Sequence, residues 1–386
     1  MKRLFSIALL FTFLFNCTSE NNPTSVDNND SNDDSTNEVL PFSLHENGVT
    51  ILCSNAEVGE IGVINGIEYT KRTWGQIKNL VKDDPSIVET TCTSDITDMS
   101  EFYPFLNGYS SWSDGTYTLG SIEHWDVSSV STMSLMFYNS KNFNQDLSNW
   151  DTSSLTNMHR MFRNSEFNGI IESWDVSNIT NMVKLFDGAT EFNRDLDSWD
   201  VSNVTNMNSM FNYAENFNGN IENWDVSNVT DMNTMFNGAH SFNGNIGNWD
   251  VSSVTKMSQM FSGRDGGIKL GSFNQNIDSW NTSMVTDMSL MFYKSVFNQP
   301  INNWDVSSVT NMQLMFASNP NFNQDLSSWD VSSVTDMYRM FLRAESFNQD
   351  LSDWCVTKIS SEPTQFSDNS PLATEHKPKW GTCPGG

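Results

Sequence analysis

The chain has 386 residues, a formal net charge of −27 and 12% aromatic side chains. That aromatic content allows a large buried core and excludes global disorder. The negative charge repels nucleic-acid phosphates and anionic lipid headgroups, leaving sugars, basic proteins and divalent cations as compatible partners.

Met1-Lys2-Arg3 is basic, and Leu4 to Phe15 form an apolar run. That run is too short to span a bilayer and suits a signal peptide over 1–16. It ends at Leu14-Phe15-Asn16-Cys17, which resembles a lipobox, although Phe15 and Asn16 depart from the usual small residues. Cys17 is the expected lipidation site, placing the protein outside the cytoplasm, anchored to the outer membrane at the cell surface. Residues 17–45 read as a flexible tether, because 18–40 hold six acidic residues and no basic one and so repel themselves into an open chain. Asp27 to Asp34 lack the glycine and terminal glutamate of an EF-hand loop.

Residues 46–95 do not repeat and read as a small α+β N-terminal cap. Ile61 to Thr70 predict a β-hairpin turning at Asn65-Gly66. Thr73 predicts the cap of a short helix through Leu80, with Trp74, Ile77, Leu80 and Val81 on one face. Cys53, Cys92, Cys355 and Cys383 remain as an even set in an oxidising setting. Three pairings are open, and Cys53–Cys92 with Cys355–Cys383 is the natural one, since each pair flanks one end of the repeats.

Over residues 96–354 tryptophan recurs at 125, 150, 174, 199, 224, 249, 280, 304, 329 and 354, a period near 25 that predicts a solenoid of about ten repeats. The one long step contains the glycine-rich loop Gly263 to Ile268. A unit runs Trp199-Asp200-Val201-Ser202-Asn203-Val204-Thr205-Asn206-Met207-Asn208-Ser209-Met210-Phe211, then Phe217-Asn218-Gly219-Asn220-Ile221. Ile221-x-x-Trp224-x-Val226 has the L-x-x-L-x-L spacing of a leucine-rich-repeat strand, predicting a parallel sheet on one side. Val204-x-x-Met207-x-x-Met210-Phe211 has helical spacing and predicts short helical or 3₁₀ turns on the other. The repeated Trp, Phe and Met are expected to be core. Ile96 opens an irregular first unit with nine extra residues around Trp112. The pattern stops after Trp354, leaving 355–386 as a stapled C-terminal cap.

The unit W-D-V-S-[SN]-V-T-x-M-x-x-M-F…F-N-x-[DN]-[LI] resembles the repeat of the BspA-like leucine-rich-repeat surface proteins, a family that includes bacterial lipoproteins. Trp380-Gly381-Thr382-Cys383-Pro384 is similar to a tail common among its members. The resemblance implies a surface protein, with adhesion or host-protein binding in some members, and transfers no ligand.

Catalysis has no motif to rest on: none of the five histidines (45, 124, 159, 240, 376) recurs in the repeat, and no nucleophile elbow, zinc motif or phosphate loop is present. The chain is therefore read as a non-enzyme. The polar feature with most information is the aspartate after tryptophan: Asp126, Asp151, Asp175, Asp200, Asp225, Asp250, Asp305 and Asp330. Two readings stay open. Each Asp accepts turn hydrogen bonds from the following Ser, or the row forms an acidic face that binds Ca2+ or a basic partner. No other cofactor is implied. The asparagines after the recurrent Phe, from Asn144 to Asn348, are expected to form a buried ladder. The expected role is a monomeric adhesin or interaction scaffold for an extracellular protein or glycan, touching the membrane only through its lipid. Nutrient capture by sugar binding, with Tyr138, Tyr213, Tyr293 and Tyr338 as serial stacking candidates, and a passive spacer are the alternatives.

Overall fold

The computed structural model describes residues 40–102, 118–263 and 269–384. Cys17, Trp112 and most of the 263–268 loop lie outside the described residues.

The N-terminal cap opens with β1 (Ser43–Leu44) antiparallel to β2 (Ile51–Leu52). The folded part therefore begins inside the 17–45 segment expected as tether. Phe42 explains this: it is buried beside Ile51, Cys53 and Tyr69, over Gly62, where any Cβ would strike its ring. β3 (Ile61–Ile64) and β4 (Ile67–Lys71) form the hairpin, with Asn65 and Gly66 at φ 53° and 81°, the left-handed pair that this turn requires. α1 (Trp74–Leu80) starts on a Thr73–Gln76 capping box. Trp74, Ile77 and Val81 are buried, but Leu80 is 43% exposed and leaves the expected inner face. β5 (Thr91–Cys92) adds parallel to β4, and the Cys53–Cys92 disulfide ties it back to the chain after β2.

The repeats follow as stacked coils, and the two halves of each unit exchange the roles expected of them. Single parallel bridges join Asn181, Asn206, Asp231 and Lys256 in turn, and then Asp287, Asn311 and Asp336. They fall in the Val-Thr-x-Met segment expected to be helical. In one coil the N–H groups of Met207, Ser209, Phe211 and Tyr213 donate to the carbonyls of Asp231, Asn233, Met235 and Asn237 in the next, at 3.0, 2.9, 2.9 and 2.7 Å. The alternate amides close tight turns: Met210 N–H to Met207 O, Asn212 N–H to Ser209 O and Ala214 N–H to Phe211 O. Ser209 and Tyr213 have φ of 57° and 54°, which no α-helix tolerates. A chain of such turns points every third or fourth residue inward, which is why its sequence has helical spacing. The Trp-Asp-Val segment, expected as the parallel strand, also consists of turns: Trp224 N–H donates to Ile221 O and Val229 N–H to Val226 O.

The ten tryptophans are 0–4% exposed, and each does more than fill space. The indole N–H of Trp224 donates to Leu196 O at 2.7 Å, that of Trp249 to Ile221 O at 3.2 Å, and that of Trp329 to Ile301 O at 3.0 Å. Each ring thus adds a second donor to a carbonyl of the preceding coil that also accepts its own coil's turn amide, a bond phenylalanine could not make. Beside this column, Phe211 stacks on Phe217 at 3.9 Å within its coil and on Phe236 at 5.7 Å in the next.

Both ends are closed by the same bonding rules. Trp125 has no full coil before it, and its indole N–H donates instead to Val88 O in the N-terminal cap. At the far end the turn pattern runs on past Trp354, contrary to the expected stop. Phe341 N–H donates to Phe366 O and Arg343 N–H to Asp368 O, both at 2.8 Å, while Gln365 and Asn369 repeat the left-handed positions. In this last coil Pro363 stands where the first Met belongs. That position normally sends its N–H to a following coil, so a residue without one costs nothing here and discourages further pairing. The Cys355–Cys383 disulfide closes the end.

Candidate functional site

Stacking in register puts each repeat position into a row along the array. Asp151, Asp175, Asp200, Asp225, Asp250, Asp305 and Asp330 are all exposed. Their Oδ1 atoms accept the backbone N–H of the serine two residues on, at 2.9–3.1 Å. Ser177, Ser202 and Ser307 add their hydroxyls at 2.6 Å. The hydroxyl and N–H of the paired serine hold the carboxyls of Asp200, Asp250 and Asp305 below the usual carboxylate range. Asn281, where the row lacks Asp, makes both bonds to Ser283 with its amide oxygen. The turn therefore needs an oxygen acceptor and not a charge. Oδ2 of the exposed aspartates has no protein partner among the described residues, so the row remains a strip of negative charge. Asp126 differs from the rest. It is 6% exposed, and while Ser128 occupies one oxygen, the Ser94 hydroxyl of the cap occupies the other.

Among the described residues no group of three or more His, Cys, Asp or Glu converges to hold a metal. We expect calcium to raise the melting temperature of the array no more than an ionic-strength control does. Changing Asp200, Asp225 and Asp250 together to Asn should be close to neutral at pH 7, whereas changing them to Ala should lower stability measurably through the lost turn bonds. Because the folded carboxyl pKa values of Asp200 and Asp250 are depressed, the stabilisation these two add is present above the ordinary carboxylate range. It is lost as pH falls through the folded values, and that acid-sensitive component should be missing from the Asn variant. A calcium-specific rise in melting temperature that the Asn variant abolishes would overturn this account.

The asparagine ladder is present but lies on the surface. The Oδ1 of Asn193 accepts Asn218 N–H at 2.8 Å, and that of Asn218 accepts Asn243 N–H at 2.8 Å. The same step continues to Ala373 N–H on Asn348. These residues are mostly exposed, because the bonded face of each amide points along the stack while its edge stays in water. The four tyrosines do not form a stripe. Tyr138 and Tyr293 follow the buried Phe, Tyr213 lies two after Phe211, and Tyr338 follows Met337. Arg163, Lys294 and Arg339 cover the Tyr138, Tyr293 and Tyr338 rings at 5.7, 5.0 and 4.7 Å.

Where the acidic row meets the N-terminal cap there is a hollow of about 290 Å³. The β1–β2 turn supplies His45, Asn47, Thr50 and Leu52, and the first two coils supply Trp125 to Ser128, Asn149 and Asp151. Repeat periodicity could not reveal it, since four of its ten lining residues are non-repetitive and His45 falls in the segment expected as tether.

Fold and rows together define a tandem-repeat protein with an acidic, hydrogen-bonding surface. A family model described as "Mycoplasma protein of unknown function, DUF285" matches residues 97–201, 163–268 and 266–380. These matches run over well more than half of the chain, and the chain belongs to that family. No curated protein and no solved structure matches it.

Proposed function

We propose that the chain is an exported, lipid-anchored surface protein whose solenoid acts as a binding scaffold, an adhesin for a basic protein partner outside the cell. The observation that supports this most is the row of exposed aspartates in which one oxygen holds the turn and the other is left to solvent. With the neighbouring tryptophan rings of successive coils 6.2 Å apart at Trp224 and Trp249, such a row sums into a linear field that attracts and orients a cationic surface and repels nucleic acid. The resemblance to BspA-like surface proteins points the same way. The reading assigns no catalytic residue and no cofactor, and it takes the protein as a monomer attached to the outer membrane by its lipid alone.

The test is binding of the mature protein to a panel of extracellular proteins at low and high salt. Binding should weaken as salt rises, and the Asp200/Asp225/Asp250→Asn variant should lose it while keeping its fold. A variant that binds as well as the parent would sink the proposal. The anchor is tested separately. Cys17→Ala, or inhibition of lipoprotein signal cleavage with globomycin, should release soluble protein or accumulate precursor, whereas an unmodified mature N-terminus elsewhere would refute it.

A further inference from the structure

The hollow between the cap and the first coils has a chemistry distinct from the acidic row. Its floor is apolar, lined by the half-buried Leu52 and by Val127 and Trp125, both buried. Its rim carries three different polar groups without a protein partner for the atoms concerned. Asp151 spends Oδ1 on Ser153 N–H and keeps Oδ2 free. Asn149 is half-buried, and its side-chain amide makes no hydrogen bond among the described residues. His45 accepts Asn47 N–H on Nδ1 at 3.2 Å, which leaves Nε2 as the ring's donor. The neighbouring Asp126 is not available, because Ser94 and Ser128 occupy both its oxygens. The hollow is thus lined by one acceptor, one group that both donates and accepts, and one donor above an apolar floor.

We propose that this hollow binds one neutral sugar residue, such as the terminal unit of a glycan. A pyranose presents apolar C–H faces to a floor, and around its rim hydroxyls that both donate and accept. A free carboxylate, an amide and an imidazole N–H match that rim group for group. An ammonium or guanidinium ligand would use the carboxylate but would meet the imidazole N–H as one donor facing another. An acidic or sulfated sugar would be repelled by Asp151 and by the net charge of −27. A volume of about 290 Å³ lies just below the roughly 300–1,000 Å³ of small-molecule sites, which suits one ring and not a chain. This site does not depend on the acidic row binding a protein, and either reading can fail alone.

The experiment is titration of the full mature protein with neutral methyl glycosides and N-acetylglucosamine, followed by saturation-transfer NMR and calorimetry. Glucuronate and N-acetyl-lysine amide serve as charged counterparts. Asn149→Ala and Asp151→Asn are the test variants. The second keeps the turn, as Asn281 does with Ser283, and removes only the charge. Asn302→Ala, on an exposed position far along the array, is the control. The expected result is saturable binding of a neutral sugar, absent for glucuronate, weakened about tenfold or more by each test variant and unchanged by the control, with melting temperatures preserved. Binding of the lysine amide in place of sugars, abolished by Asp151→Asn, would overturn the assignment in favour of a cation site. Saturation by no sugar at all, or sugar binding indifferent to both variants, would also overturn it. None of these outcomes bears on the Asp200/Asp225/Asp250 test of the acidic row.

Discussion

Replacing Trp224 by alanine is expected to destabilise the array by about 3–5 kcal/mol, the range for removing a large buried aromatic. Replacing it by phenylalanine is expected to cost about 0.5–1.5 kcal/mol, the net worth of one hydrogen bond. The two losses have different origins. Alanine removes a ring that is 4% exposed and stacks on Trp249 at 6.2 Å, leaving a cavity between coils. Phenylalanine keeps most of the ring but deletes the indole N–H, so Leu196 O loses the 2.7 Å bond and keeps only the Trp199 N–H donor at 3.0 Å, the cost being that of one hydrogen bond. Equilibrium urea unfolding followed by circular dichroism separates the cases through the shift in midpoint at unchanged slope. If Trp224→Phe unfolds with the parent, the indole–carbonyl column is incidental and the tryptophans serve only as bulk. Coils interact chiefly with their neighbours, so a broadened transition is also expected if the weakened coil uncouples the two halves.

Loss of a terminal disulfide should act at an end and not throughout. By the chain-entropy relation, closing the Cys355–Cys383 loop, with a sequence separation of 28, contributes about 3.5 kcal/mol, and Cys53–Cys92, with a separation of 39, about 4 kcal/mol. The C-terminal coil has a neighbour on one side only. Its contacts are Phe366 edge-on to Phe341 at 5.4 Å and to Trp380 at 5.0 Å, together with Val356 N–H on Thr382 O and Gly381 N–H on Ile359 O. Changing Cys355 and Cys383 together to serine should therefore remove hydrogen-exchange protection over about 356–382 and leave coils such as 199–249 protected. Uniform loss of protection would mean that the array melts as one unit and the bridge stabilises all of it. Unchanged protection would mean that Pro363, Phe366 and Trp380 hold the end without the bridge.

The sequence and the structure part company at one instructive place. The spacing Val204-x-x-Met207-x-x-Met210-Phe211 is the same for a helix and for a run of four-residue turns, since both send every third or fourth side chain inward. What separates them is where the amide of Ser209 finds its acceptor: four residues back, or Asn233 O one coil on. That partner is defined only once a second coil lies alongside. The Trp-Asp-Val segment forms turns in place of a strand for a related reason. L-x-x-W-x-V marks residues that point inward, and turns satisfy it as well as a strand does. The aspartate row was legible as a row, but its chemistry was not. Only the distances to the serines show that one oxygen is engaged, and only Asn281 shows that charge is dispensable for that bond.

By itself the sequence determined the repeat period, the membership of the core, the hairpin at Asn65-Gly66, the capped helix at Thr73 and the end-flanking cysteine pairs. Each of these is local, or follows from identical units having to bury identical side chains against one another. Only the tertiary structure decided which half of the unit carries the parallel bridges, which carbonyl each buried indole bonds, that the asparagine ladder lies in water, and that His45, Asn149 and Asp151 surround one hollow. Those facts depend on hydrogen-bond partners some 25 residues or more away along the chain. No local preference specifies such a partner until the coils are stacked.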